Sequence, residues 1–204
     1  GPGVPGLDAL APALLQQEEQ RDLVAPGIGF LVVQPPGRER APPKVFRAAQ
    51  KATQRDGIRV RKGDIRQFNA EVKRIRQIYD QAWTRNWGFV PLTEHEGDFL
   101  AASLKQVIDP DLVFIAETSD GTPIGVSITL PDLHQALKWS GGGRMFPFGL
   151  LKFLWHRRKI DQARLWGMGV VEEYRGRGID AIFYVETARA ALAKGYKRLE
   201  GSWI

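Results

Sequence analysis

The sequence predicts an α/β (α+β) domain in which helices flank a mixed sheet. Three features lead there. Leu112–Glu117 and Pro123–Leu130 are short apolar strands around Ser119-Asp120-Gly121-Thr122, the pattern of an antiparallel hairpin. Residues 65–85 carry one helical stripe, Phe68, Val72, Ile75, Ile78 and Ala82. Residues 165–194 run from an apolar strand through a glycine–arginine loop into a helix.

The remaining elements follow in chain order. Residues 1–44 are rich in Pro and Gly, which break most patterns there, and Ile28–Val33 is a lone strand candidate. We read 1–44 as a poorly ordered arm and 45–204 as the domain. Val45–Arg55 is a short basic helix and Ile58–Arg61 alternates like a strand. Thr93, with Glu94 and Glu96 in the first turn, starts a second helix whose inner face is Leu100, Leu104 and Val107. Asp109-Pro110 turns the chain into the hairpin. Residues 131–162 are mixed, with a triple glycine at 141–143 and an apolar run at 145–155. Leu165–Val171 is apolar on both faces, as a central strand is. Gly178–Lys194 is a helix with Ile182, Val185, Ala188 and Leu192 along one side, ended by Gly195. Arg198–Ile204 is the last strand.

Composition narrows the chemistry. At 204 residues, 43% hydrophobic and 25% charged, the chain suits one domain plus an extension. Having no cysteine excludes disulfides, thiolate metal sites and Cys nucleophiles. His95, His134 and His156 lack metal-ligand spacing, so no metal is expected. The net charge of +6 suits a phosphate-rich ligand. No aromatic-basic RNA motif or zinc finger is present, so no specific nucleic acid is expected. No apolar window is long enough for a membrane span. With no signal-peptide pattern, a cytoplasmic setting is expected. The chain starts without Met, and a fragment or processed product is expected.

The loop after strand 165–171 carries the strongest chemistry. Arg175-Gly176-Arg177-Gly178 precede a helix, whose start exposes unpaired N–H groups and the positive dipole end. An anionic phosphate can settle there. Glycines remove the Cβ atoms that would hold it away, and Arg175 and Arg177 can add charge-assisted hydrogen bonds. Gly167 and Gly169 share one face of the strand before it. Glycine inside a strand often marks close approach of a ligand or another backbone. An extended ligand with amides, such as pantetheine, could lie along this strand.

The stretch Gly169-Val170-Val171-Glu172-Glu173-Tyr174-Arg175-Gly176-Arg177-Gly178-Ile179 resembles the acyl-CoA motif of the GNAT (N-acetyltransferase) superfamily, Arg/Gln-x-x-Gly-x-Gly/Ala. Arg175 fills the first place and Gly178 the fourth. The element order over 58–204 is similar as well, and within that superfamily the chain looks like a bacterial GNAT-like subgroup. The resemblance implies a mostly antiparallel sheet flanked by helices, cut short at its C-terminal end. It implies acetyl-CoA as co-substrate and an amine acceptor that attacks the thioester directly, without a covalent enzyme intermediate. The pyrophosphate would rest on Arg175, Gly176, Arg177, Gly178, Ile179 and Asp180, and pantetheine would run along Met168, Gly169, Val170 and Val171. Asp180 stands where the motif has Gly or Ala. At about 5 Å from a phosphate charge it would cost roughly 3 kcal/mol at an effective dielectric near 20. No residue is assigned as general base or acid. The alternative is a GNAT-fold module that binds CoA or a partner without turnover. A homodimer is among the assemblies admitted.

Gly176-x-Gly178-x-x-Ala181 also fits a dinucleotide pattern, but its first Gly lies too far from the strand. Residues 145–159 could form an interfacial membrane helix; Pro147 and Gly149 favour a core or substrate-side helix with a solvated basic end. Trp83, Trp87 and Phe89 could line an acceptor pocket, although such aromatics more often fill a core. Asp132 and Ser202 read as turn or edge residues.

Overall fold

The computed structural model describes residues 47, 49–52, 57–84, 89–138 and 149–201. The arm expected over 1–44, Trp87, the triple glycine and Ser202 lie outside these.

Five strands, β1 (Arg59–Lys62), β2 (Val113–Glu117), β3 (Pro123–Pro131), β4 (Gln162–Val170) and β5 (Arg198–Gly201), form one sheet in that order. The first three pairings are antiparallel and β4–β5 is parallel. The helices are α1 (Phe68–Trp83), α2 (Glu94–Lys105), α3 (His134–Leu137), α4 (Gly149–Arg157) and α5 (Ile179–Ala193). The mixed, mostly antiparallel sheet flanked by helices is therefore present.

Helices cover both faces, which is why the hairpin strands are apolar throughout. Ile78 and Ala82 of α1 pack on Val113, Ile115, Val126, Ile128 and Leu130. On the other face Ile179 and Phe183 of α5 pack on Phe114, Ala116, Ile124, Leu165 and Met168. The Phe183 ring fits over Gly125, where a Cβ would lie 3.2 Å from it. Arg61 of β1 joins these layers electrostatically, bonding Glu71 of α1 at 2.9 Å and Glu117 of β2 at 2.6 Å.

The expected elements shift in several places: β4 begins at Gln162 rather than Leu165, and α2 ends at Lys105, so Val107 lies beyond it. Leu112 belongs to a 3₁₀ turn, Pro110–Leu112, rather than to the strand. Asp109 caps that turn by accepting from the Asp111 N–H, and Pro110 holds the φ it needs. The start of the long helix is likewise a 3₁₀ turn, Ile65–Gln67, capped by Asp64. The stripe expected along one side of α5 does not meet a single partner. Ile182 and Val185 pack on Ala49 and Ala52, while Ile179 and Phe183 face the strands. At Thr93 the expected helix start is present, and Glu96 adds a capping box to it.

Candidate functional site

Two features of the β4 region make the site. The first is the loop into α5. Val171 extends the ladder by donating to the Ile124 carbonyl at 2.9 Å, and a 3₁₀ turn follows at Glu172–Tyr174. Gly176 and Gly178 then take φ of +72° and +85°, a region that side chains with a Cβ rarely enter. These turns aim the chain into α5 with Gly178 as N-cap and no side-chain cap. Among the described residues the N–H groups of Gly178, Ile179 and Asp180 donate to no acceptor. An array of that kind suits an anion.

The two arginines part company. Arg175 turns away from this array: its Nε donates to the Val170 carbonyl at 3.1 Å and its Nη2 to the Ala82 carbonyl. It is a strut between the end of β4 and the end of α1. Arg177 stays at the loop, exposed, with its guanidinium 4.9 Å from the Tyr174 ring centre. Asp180 is exposed on the first turn of α5. Tyr184, one turn on, has its phenol pKa raised by burial and then by the Asp180 charge.

The second feature is an opening in the sheet. Pairing of β4 with β5 runs only from Gln162 to Leu165. On the other edge the β3 register slips, with Ile128 opposite Gly167 and Thr129 opposite Leu165. Trp166 is thus the extra residue of a bulge, a position that leaves ladder groups unpaired. The bulge also breaks the strand alternation. Trp166 and Gly167 both line a cavity of about 420 Å³ between the sheet, α1 and α2. Its walls include Val72, Ile75, Leu100, Leu104 and Ile108, with Tyr79, Arg76 and Asp98 as polar members. Burial pushes the Tyr79 phenol up, and the Asp80 charge adds to this.

Gly167 and Gly169 do share the α1 side, but for different reasons. A Cβ on Gly167 would meet nothing within 4 Å, so that glycine keeps the cavity open. A Cβ on Gly169 would lie 2.2 Å from the Trp83 indole, so that glycine admits a side chain of the protein itself. Trp83 lines the cavity, stacked on Tyr79 at 5.1 Å between centroids, and Phe89 tilts against Tyr79 at 5.4 Å. Met168 faces the opposite layer, packed with Phe183 and Leu165.

Sequence reading passed over Trp166, Tyr79, Arg76 and Asp98. Val72, Ile75, Leu100 and Leu104 were read as core; they face the cavity. The pocket reading of Trp83 pointed to this space, since its indole lines the cavity. Asp132 accepts from the His134 N–H at 3.2 Å, the turn chemistry expected of it. Among the described residues no cluster of His, Asp and Glu could hold a metal ion.

Strand order β1 to β5, the single parallel pairing, the opening beside β4 and the glycine loop into α5 make the fold GNAT-like. No family model matches the sequence. The chain is 37% identical over 154 residues to a protein named bacterial ceramide synthase from Caulobacter vibrioides, covering 72% of this chain and 40% of that protein. It is 34% identical over 156 residues to Protein YghO of Escherichia coli, with 74% and 40% covered. The chain therefore spans about two fifths of the length of these relatives. A solved GCN5-related N-acetyltransferase from Sphaerobacter thermophilus superposes with a TM-score of 0.48 at 17% identity, covering 71% of this chain and 35% of that one.

Proposed function

We propose that this chain is the acyl-CoA-binding part of an N-acyltransferase whose acceptor is the amine of a long-chain amino alcohol. The observation that carries the reading is the apolar cavity lined by Trp166 and Gly167 of the bulge, on the strand that leads into the glycine loop. From Val171 back to Trp166 is five residues, about 17 Å of strand. CoA phosphates at Gly176–Asp180 and pantetheine along Met168–Val171 then bring the thioester to the bulge. The amine, once its ammonium has lost a proton to solvent, attacks the thioester carbonyl through its nitrogen lone pair; the C–S bond breaks, and the second proton shed by nitrogen ends on the departing thiolate, giving the amide and CoA thiol. Unpaired backbone groups at the bulge suit the oxygen that gains charge. Asp98, exposed at the cavity rim, suits the incoming ammonium.

The name of the Caulobacter relative supports a lipid amine, since a ceramide is the fatty amide of a long-chain amino alcohol. The cavity supports it too, being within the usual range for a small-molecule site and walled by hydrocarbon. A cysteine-free chain using a CoA thioester fits the cytoplasm.

Calorimetry with CoA, acetyl-CoA and palmitoyl-CoA, followed by thiol release with short and long-chain amines, tests this. CoA binding and release that depends on the long-chain amine is expected. Acetyl-CoA, the donor expected from the sequence, is compared directly with the long-chain thioester. Binding without thiol release would leave the non-catalytic module, and no binding would end the CoA reading. Asp180→Asn should tighten CoA binding roughly fourfold, the effect of an exposed charge about 5 Å away in water.

A further inference from the structure

We infer that α4 is a docking surface for an anionic lipid bilayer. The helix is held to the body by Phe153, which is 2% exposed in a cluster with Val107, Leu133 and Ala136. Expectation from the sequence, a core helix with a solvated basic end, holds for that residue. Leu151 and Trp155 lie half a turn away from it and are 65% and 60% exposed; Leu154 beside them is 46% exposed. One nine-residue helix thus holds three of the six large exposed apolar side chains among the described residues. Outward poles of helices on soluble domains are normally polar.

Charge identifies the occupant. Residues 133–160 contain six Lys and Arg and no Asp or Glu, as many charges as the net excess of the whole chain. Lys152, Arg157, Arg158 and Lys159 among them are exposed beside the apolar trio. Lys159 sits 3.9 Å from the Trp155 ring centre. Tryptophan with flanking snorkelling cations is the composition of a membrane-interface element. A protein partner with an acidic rim would match the charge. It would not need a convex apolar ridge formed by one turn of helix, and a bilayer accepts one.

Among the described residues no helix is long and apolar enough to cross a membrane, so the contact is peripheral. Its position gives it a use. Arg157 donates to the Gln106 carbonyl at 3.3 Å, just past α2, and Leu104 packs on the Phe153 cluster while lining the cavity. Docking by α4 brings the α2 wall of the cavity near the lipid phase. The docking does not itself rest on the acyl-transfer reading.

Co-sedimentation with phosphatidylglycerol/phosphatidylcholine vesicles tests it, with phosphatidylcholine vesicles as the reference. Binding should require the anionic lipid and weaken with salt. Each of the four cations replaced by Gln should cost roughly fivefold in partitioning. Leu151→Glu with Trp155→Glu should abolish binding while leaving CoA binding in solution unchanged, because both side chains are exposed. Trp155→Phe should remove quenching by brominated lipid. No vesicle binding at low salt overturns the inference, as does binding indifferent to Leu151→Glu and Trp155→Glu. A dimer dissolved by those substitutions, without vesicle binding, would assign the face to a second copy instead.

Discussion

Gly169→Ala separates a glycine that packs from one that leaves room. The new Cβ would stand 2.2 Å from two atoms of the Trp83 indole, more than 1 Å inside ordinary carbon contact. Trp83 is backed by Tyr79 and packs against the cluster of Val126 and Ile128, so its ring has little room to retreat. Overpacking of this kind costs about 1–3 kcal/mol. Replacing glycine within a strand returns roughly 0.5–1 kcal/mol of chain entropy. The net expectation is a loss of about 1–2 kcal/mol. In urea that moves the unfolding midpoint down by roughly 0.5–1 M at an m-value near 2 kcal/mol/M. Gly167→Ala is the control. Its Cβ meets nothing within 4 Å, so its stability should hold or rise by about 0.5 kcal/mol. In a Trp83→Leu background, Gly169→Ala should become neutral, a coupling of about 1 kcal/mol or more. An equal loss with and without the indole would refute the argument, because the collision with Trp83 is its whole basis.

Arg61→Ala leaves the carboxylates of Glu71 and Glu117 facing each other, with Arg74 at 3.1 Å the remaining partner of Glu71. Arg61 is a quarter exposed, so about 2–3 kcal/mol should be lost rather than the full buried-pair value; neutralising Glu71 and Glu117 in the same protein should recover most of it by thermal melting. Lys194 and Lys62 hold the Asp111 carboxyl down to about 2, so its contribution is present above pH 4 and disappears as pH falls through 2. Asp111 is nearly half exposed, which keeps that contribution below about 1 kcal/mol, and the gap between wild type and Asp111→Asn should close between pH 4 and 2 in acid unfolding curves. The Thr129 hydroxyl is buried with no partner among the described residues, so Thr129→Val should be neutral or stabilising by about 1 kcal/mol in denaturant titration.

The sequence made the fold legible wherever one local rule governed a segment. The helix start at Thr93, the hairpin around Gly121 and the glycine that ends α5 are each set by neighbours in the chain. The glycine loop was legible for the same reason, since positive φ at Gly176 and Gly178 is a local demand. The cavity was not. It arises because the β3–β4 register slips at Trp166, which turns two consecutive residues to one side. A slip is decided between strands some forty residues apart; Gly167 marks an irregular strand, but its local sequence does not fix the register. The partners of α5 are set in the same non-local way. A helix covered on two sides has no single stripe, and Ala49 and Ala52 supply the second cover.

Arg175 joins these two halves. Its guanidinium holds the Val170 carbonyl, where the loop begins, and the Ala82 carbonyl, next to the tryptophan that fills Gly169. The first position of the glycine loop is therefore tied to the wall of the cavity rather than aimed at an anion. Three geometries then hang on one side chain: the direction in which β4 leaves the sheet, the end of α1, and the seat of the Trp83 indole. A lysine could keep the charge but could not span both carbonyls with a planar fork. The backbone N–H groups at the start of α5 and the apolar cavity are held in fixed relation by this bridge. In this protein the arginine of the motif is best understood as a positioning residue, with Gly178, Ile179 and Asp180 offering the unpaired donors themselves.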